Sequence, residues 1–452
     1  MSALLPSLLK NTLPTSLQNH WDDIEKSHAD SSVNSVRINP YKQTSQFDSE
    51  QNIPWTQYGK YLKHRPSFTF DPLFHAGCYY VQEASSMFLE HALKQYIDFE
   101  KQLHILDLCA APGGKSTHVS SLISKESLLI SNEIIGTRVN ILAENMDKWG
   151  QINTWVCKND PSHFKKTKDI FDVILIDAPC SGSGLFRKIP AYSNSWNLDL
   201  VNLCAKRQQR IVHDVYNALV QNGYICYMTC SLSKQENEEM LDYMMQHFEL
   251  ESCKINLDKN WGIVETQSEK ANAFGYRFFS HLLQGEGFFL ALLRKKDGNE
   301  KKLVVSQKKV NNFNFDLKKY IDDTFLFTFL QNEHLIAIQN IHKPIYEELL
   351  ASVKFTKKGI LIGKPTQKDL IPSHEFALSS QNIYNELVID LDLPTAIKYL
   401  KKENIEISLG AKGWYLVTYQ KKPIGWLKNI GNRINNYYPL QQRILSQKIL
   451  PS

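Results

Sequence analysis

The sequence contains no run of about 18 or more apolar residues, so a membrane-spanning helix is excluded at this level. Its opening, MSALLPSLLKNTLPTSL, has neither the basic start nor the long apolar centre of a secretory signal, and a cytoplasmic protein with no membrane partner is expected. All eight cysteines precede residue 300, and none forms a Cys-x-x-Cys pair. That spacing argues against zinc ribbons and thioredoxin-like centres, so free thiols and no metal site are expected. Internal repeats and low-complexity tracts are also missing. Core-forming residues are not: 42% of the 452 residues are hydrophobic and 22% charged, the balance of a folded protein with two to four units.

The net charge of +5 is spread unevenly. Residues from 301 onward hold 22 Lys+Arg against 13 Asp+Glu, whereas the first 300 hold 30 against 34. A basic C-terminal part is usually a solvated surface, but it also suits a polyanion.

Residues 1–100 mix helical and extended signals, with turns at Asn39-Pro40, Ile53-Pro54 and Asp71-Pro72. Residues 101–296 alternate short apolar runs with helical stretches. The runs are LHILDL, SLLISNE, NTWVCKND, FDVILID and GYICYMTC, a pattern that predicts a parallel sheet covered on both faces. YRFFSH and GFFLALLRK predict a closing antiparallel hairpin at one edge. A polar linker is expected over 295–309, a mixed α+β module over 310–390, and a β-rich end over 391–452, where WYLVTY alternates and Lys421-Lys422-Pro423 supplies a turn.

In doubly wound sheets ligands bind beyond the carboxyl ends of the strands. The first such end carries CAAPGGKSTHV, in which Gly113-Gly114 permits a tight turn into a helix beginning near Lys115. Asp107, Glu133, Asp160 and Asp177 fall at or beside four strand ends, bringing like charges to one rim. Helix capping accounts for one or two of them. All four together favour a ligand with donors or positive charge, as S-adenosylmethionine has. A dinucleotide is the rival ligand, but it prefers Gly-x-Gly-x-x-Gly, and this turn has a proline and a lysine instead.

Two cysteines complete the rim. Cys180 follows the fourth strand and Cys230 the fifth, so neighbouring strands about 4.8 Å apart would bring both thiols to one pocket. Each alone reads as a small core residue. Together, beside a cofactor rim, they suit chemistry on cytosine, whose carbon 5 becomes nucleophilic once a thiolate adds to carbon 6. Ser233-Lys234-Gln235-Glu236 reads as a capping box whose helix N-terminus would favour negative charge near Cys230.

LDLCAAPGGKSTHV, DAPCSGSG and MTCSLSKQENEE resemble motifs of the Nop/Sun family of RNA (cytosine-5) methyltransferases. The resemblance extends to HAGCYYVQEASSM and YRFFSHLLQGEGFFLALLRK. The segment GWYLVTYQKKPIGWLKNIGNRINNYYPLQQRI resembles the PUA-like RNA-binding domain of the bacterial branch that modifies 16S ribosomal RNA. The fold implied is α/β: a class I (Rossmann-like) methyltransferase sheet with an N-terminal α+β domain and a C-terminal β-rich PUA-like domain. The resemblance further implies that Cys109, Ala110, Ala111, Pro112, Gly113, Gly114, Lys115, Glu133, Asp160 and Asp177 border S-adenosylmethionine. Cys230 is then the nucleophile, and Cys180 helps remove the carbon 5 proton and release the product. Lys115 and Asp177 touch the polar edge of the base. Met228 and Pro161 depart from the family pattern and put local backbone geometry in question.

The function expected is therefore methyl transfer to a cytosine of structured RNA, 16S ribosomal RNA or the small subunit first and transfer RNA as the alternative. An RNA-binding ribosome-assembly protein with an inactive domain and a nicotinamide dehydrogenase are the readings from other classes. For the tail, Lys398, Lys401, Lys402, Lys412, Lys421, Lys422, Lys428, Arg433 and Arg443 are expected to meet phosphates, and Trp414, Trp426, Tyr437 and Tyr438 to stack on bases or fill a core. A chain ending near residue 300 is expected to keep cofactor binding.

Overall fold

The structure, a computed structural model, describes residues 5–301, 320–322, 326–367 and 369–446; the linker expected over 295–309 and the start of the 310–390 module lie partly outside the described residues. Among the described residues no helix is long and apolar enough to cross a membrane.

The N-terminal part builds a three-stranded sheet from β1 (Asn34–Ile38), β2 (Gly59–Leu62) and β3 (Tyr79–Val81), in the order β2-β1-β3. The Asp71-Pro72 signal is a helix start, with Pro72 as first residue and the Asp71 carboxylate accepting from the Leu73 N–H at 2.9 Å.

The central sheet has a parallel core of β4 (His104–Asp107), β5 (Leu128–Asn132), β6 (Thr154–Cys157), β7 (Phe171–Asp177) and β8 (Leu219–Thr229). Strands β4, β5 and β6 are buried at every position, as expected of short apolar runs packed between helices on both faces. Then come β9 (Leu250–Ser252), β10 (Val264–Gln267), β11 (Phe274–Phe278) and β12 (Phe288–Lys295). The hairpin β11–β12 lies antiparallel against β8, and the sheet order begins β10-β11-β12-β8-β7-β4-β5-β6. The chain runs β4 to β6 outward and then returns to β7 on the other side of β4. The crevice where ligands bind in such sheets therefore opens between the ends of β4 and β7.

Beyond residue 320 the chain forms β13 (Leu326–Gln331), β14 (His334–Gln339), β15 (Phe355–Lys357), β16 (Ile360–Pro365) and β17 (Leu370–Pro372). β15 leaves its neighbours and pairs antiparallel with β6, closing the far edge of the central sheet. An ion-paired Lys357 joins this segment to Asp147 at 3.0 Å, on the Gly136–Trp149 helix, and to Glu375.

The last sheet is β18 (Val388–Leu391), β19 (Gly413–Tyr419), β20 (Lys422–Asn429) and β21 (Ile434–Asn436). Its hairpin turn is Gln420-Lys421, both at positive φ (48° and 60°), one residue earlier than Lys421-Lys422-Pro423 suggests. Pro423 lies within β20 instead, opposite Thr418 at an irregularity in the ladder. This sheet is not a bead on a tether. Val36, Ile38, Leu73 and Tyr79 share one buried cluster with Leu391, Tyr399, Val417 and Tyr438, and His75 Nδ1 lies 3.2 Å from the Tyr438 hydroxyl.

Candidate active site

At the end of β4 the chain turns through Cys109–Gly113, with the Gly113 N–H donating to the Ala110 carbonyl at 2.8 Å and the Ala111-Pro112 bond cis. Gly113 has φ +113°, a conformation that favours glycine, and a Cβ there would come 3.2 Å from the Leu142 side chain. The helix that follows, Gly114–Ser120, places Lys115 in its first turn. The Lys115 ammonium donates to Asp177 at 2.7 Å across the β4–β7 crevice. Burial opposes the Lys115 charge, but the Asp177 carboxylate outweighs it and holds the ammonium above its ordinary value.

A cavity of about 520 Å³ opens at this rim, a size suited to a small cofactor. Cys109, Glu133, Asp177, Cys180, Arg207 and Cys230 are among its lining residues. A smaller cavity of about 170 Å³ lies on the other side of the Cys109–Lys115 turn, against Tyr80 and Gln82 of the N-terminal part. Cys109, Ala111 and Asp177 border both.

The four carboxylates do different work. Asp107 is wholly buried; Ser116 donates to one of its oxygens at 2.6 Å, and the other has no protein partner. Burial raises its pKa to about 7, helped by the charges on Asp177 and Glu133 and opposed by Ser116 and Lys115. Glu133, also buried, accepts from the N–H groups of Ile134 and Ile135 at 2.9 and 3.0 Å and pairs with Arg138 at 3.1 Å. Asp160 accepts from the Ser162 N–H at 3.0 Å, capping the turn that starts with Pro161, and reaches the large cavity through Arg210 at 3.2 Å. Burial disfavours its charge slightly, and Ser162 and Arg210 bring it below its ordinary value. Capping thus accounts for part of Asp160 and Glu133, while Asp107 and Asp177 face the crevice.

Cys180 and Cys230 follow the adjacent parallel strands β7 and β8, and their sulfurs stand 2.9 Å apart with both thiols free. The hydrogen bond with Cys230 is the first cause that pushes the Cys180 thiol well above its ordinary value; burial and the charge on Glu236 add to it. This direction favours a protonated Cys180 beside the Cys230 sulfur. Gly184 explains SGSG: its N–H donates to the Cys230 carbonyl at 2.8 Å, and a Cβ would strike that carbonyl and Gly287. Met228, one of the departures noted, is a buried strand residue opposite Leu290.

The capping box expected at Ser233–Glu236 is not formed. Ser233 makes no cap, and its hydroxyl is 3.0 Å from Thr12. The helix starts later, at Glu238–His247, and Glu236 is drawn across to Ser181 and Ser231. Sequence reasoning gave this carboxylate a capping role that it does not have, and it missed Gln208, Arg138 and Arg210. Arg138 donates to the Ala111 carbonyl while pairing with Glu133, so it ties the turn to the second strand end. The signal lay in the spacing: Gln208 sits on the inner face of the Leu198–Val215 helix, a polar residue at a core position.

A Rossmann-like sheet with a Gly-Gly-Lys turn at its first strand end and two thiols at adjacent strand ends defines a methyltransferase domain. Comparison with known proteins agrees. The family model "16S rRNA methyltransferase RsmB/F" matches residues 94–294, "N-terminal domain of 16S rRNA methyltransferase RsmF" matches 5–84, and "Methyltransferase RsmF PUA domain" matches 386–444. These matches cover about three quarters of the chain, and the chain belongs to the RsmF branch of the RsmB/F methyltransferase family. Ribosomal RNA small subunit methyltransferase F of Shewanella piezotolerans is 28% identical over 86% of this chain and 84% of its own. The protein of the same name from Pectobacterium atrosepticum is 29% identical over 86% and 83%. Among solved structures, NSun6 from Pyrococcus horikoshii with SFG shares the fold, with TM-score 0.55 and 18% identity over 66% of this chain and all of that one. A methyltransferase homologue from the same organism gives TM-score 0.52 and 24% identity over 64% and 93%.

Proposed function

We propose that this protein transfers a methyl group from S-adenosylmethionine to carbon 5 of a cytosine in 16S ribosomal RNA, through a covalent adduct between Cys230 and carbon 6. The observation that carries this reading is the pair of free thiols 2.9 Å apart at adjacent strand ends, beside the Lys115–Asp177 ion pair. Such a pair fits a reaction in which one sulfur bonds the base and the other handles a proton.

The rim fits the cofactor. It offers a cavity of suitable size, a buried Asp107 oxygen with no protein partner, and carboxylates on three further strand ends. Cys109–Lys115, Glu133, Asp160 and Asp177 are the residues that would hold it. When bound, it supplies an electrophilic methyl group.

The chain's own residues do the rest. The Cys180 S–H stabilises negative charge on the Cys230 sulfur, which adds to carbon 6 and leaves carbon 5 electron-rich. Lys115 offsets charge that builds on the ring, and Asp177 orients Lys115 and the polar edge of the base. Once the Cys230 sulfur is bonded to carbon, the first cause of the high Cys180 pKa disappears. Cys180 can then release its own proton to solvent, and the resulting thiolate takes the carbon 5 proton; loss of that proton breaks the carbon–sulfur bond, which returns Cys230 as a thiolate and Cys180 as a thiol. We assign substrate positioning to residues 1–100 and RNA holding to the C-terminal sheet, and we place the reaction in the cytoplasm.

Bisulfite sequencing of ribosomal and transfer RNA from cells with and without the protein tests the substrate. Loss of methylation at a 16S cytosine is expected. Loss confined to transfer RNA would overturn the assignment.

A further inference from the structure

Behind the two thiols lies a buried polar network that none of the proposed chemical steps uses. Glu236 has no exposed surface, and its side chain collects donors from both thiol-bearing loops. The Ser181 N–H donates to it at 2.8 Å, and the hydroxyls of Ser181 and Ser231 donate to its other oxygen. Each serine is the residue directly after a cysteine. The Gln208 amide adds a donor at 3.2 Å and also donates to the Pro179 carbonyl at 3.1 Å, on the other side of Cys180. Tyr227, beneath in β8, donates to the Glu236 carbonyl at 2.7 Å and lies 3.0 Å from Gln208. Asn237 closes the second loop: it donates to the Ser231 carbonyl at 2.8 Å and accepts from the Thr229 hydroxyl at 2.6 Å.

A capping role would have used Glu236 on its own helix. Here a fully buried carboxylate is placed among donors that belong to two different strand ends. That costs desolvation unless every donor is in place. The network ties the residue after Cys180 and the residue after Cys230 to one buried carboxylate.

We propose that Glu236 is a positioning residue that sets the two sulfurs against one base, holding Cys230 for addition through Ser231 and Cys180 for proton removal through Ser181 and Pro179. This rests on the two-thiol reading above. A negative charge placed behind Ser181 also keeps the second thiol protonated until the adduct has formed, in line with the direction of its pKa.

Full-length wild type, E236Q, S181A and S231A are compared on small-subunit ribosomal RNA transcribed with cytidine or with 5-fluorocytidine, which has no carbon 5 proton and traps the adduct. E236Q is expected to keep its melting temperature and cofactor affinity, yet to form the adduct roughly 10- to 100-fold more slowly, the scale of an ångström-sized misplacement. Iodoacetamide labelling read by mass spectrometry supplies a second measure. The wild-type preference for Cys230 over Cys180 is expected to fall about 5-fold or more in E236Q, because one of the charges that helps keep Cys180 protonated is gone and the loop that carries Cys180 loses its anchor.

The serine variants separate the two arms. S231A is expected to slow adduct formation. S181A is expected to form the 5-fluorocytidine adduct at close to the wild-type rate but to accumulate a denaturation-resistant adduct on ordinary RNA. Wild-type adduct rates and wild-type thiol preference in folded E236Q would overturn the proposal, as would losses that only follow the folded fraction. If E236Q does not fold, the serine variants decide, and identical behaviour of S181A and S231A overturns it. Absence of any adduct with wild type would instead sink the two-thiol reading itself.

Discussion

At the carboxyl rim of the central sheet polar side chains turn toward one another: Lys115 to Asp177, Arg138 to Glu133, and Ser181 and Ser231 to Glu236. In the C-terminal sheet the arrangement is reversed. Trp414, Trp426 and Tyr438 point inward, each 3% exposed or less, and Lys412, Lys421 and Arg433 stand in solvent. The rim accepts the cost of buried charge, whereas the C-terminal sheet buries its aromatics in two cores: Tyr438 in the one it shares with β1 and β3, and Trp414 and Trp426 in another with Phe376 and Tyr384. Of the two roles open to the aromatics, stacking on bases or filling a core, Trp414, Trp426 and Tyr438 take the core; Tyr437, 38% exposed, is the one of the four left at the surface.

The sharpest break in this comparison comes from the thiols. C230A is expected to lower methylation by roughly 10³-fold or more while cofactor affinity holds, since the sulfur acts on the base. C180A should retain addition and accumulate protein bound to RNA under denaturing electrophoresis. An adduct seen with C230A and not with C180A would exchange their roles.

Removal of everything beyond residue 300 is the next largest effect. The truncated chain was expected to keep its cofactor site, but β15 would be stripped from β6, and Val36, Ile38, Leu73 and Tyr79 would lose apolar partners. Each such side chain contributes roughly 1.5–3 kcal/mol when fully buried, so a strong fall in melting temperature and rapid proteolysis within 34–81 are expected. A truncated protein as stable as the full chain would mean that the two sheets touch without depending on each other.

The difference in legibility follows from the range of the interactions. Cys180, Cys230 and Glu133 lie within three residues of a strand end and Lys115 one tight turn beyond one, so their placement depends on a few residues and on the order of the strands. The three-residue β15 carries no local signal strong enough to send it to β6, and the burial of Trp426 depends on neighbours such as Phe376 and Tyr384 some 40–50 residues earlier in the chain. Glu236 was legible as part of a motif and misread in role, because Ser231 in its own loop and Ser181 in the loop after β7 offer it more donors than Ser233 does.

A pH experiment probes the buried rim. Asp107 has a pKa of about 7 in the fold against an ordinary 3.8, so the fold favours its protonated form. The cost is absent below about pH 4, grows as pH rises, and is complete above about 7, where it reaches up to about 4 kcal/mol. D107N removes that charge while keeping an oxygen for Ser116. Its melting temperature should exceed that of wild type by a margin that widens from pH 4 to pH 7. A constant or narrowing gap would show that Asp107 is not strained by its burial. Smaller effects are expected at the cofactor contacts: E133A, then D160A, should weaken S-adenosylmethionine binding by roughly 1–3 kcal/mol each in calorimetry, and no change in either would leave both as structural caps.

The smallest effect is expected at the outward charges of the C-terminal sheet. Lys421 sits at the tip of the β19–β20 turn, and Lys412 and Arg433 stand beside the chain entering β19 and leaving β20. Lys428, by contrast, lies with its ammonium 4.6 Å from the Trp414 ring, and Lys402 donates to the carbonyls of Asn436 and Tyr438, so both are engaged within the protein. If the exposed three meet phosphates, each contact releases about one counterion, and the triple alanine variant should show a log–log salt slope shallower by about 2–3. Folding and cofactor affinity should not change, because none of the three lies in the shared core. RNA affinity should fall most at low salt and converge with wild type as salt rises. A parallel loss at every salt concentration would point to disrupted packing, and an unchanged slope would make these cations solvated surface, leaving the RNA to be held by the N-terminal part and the rim.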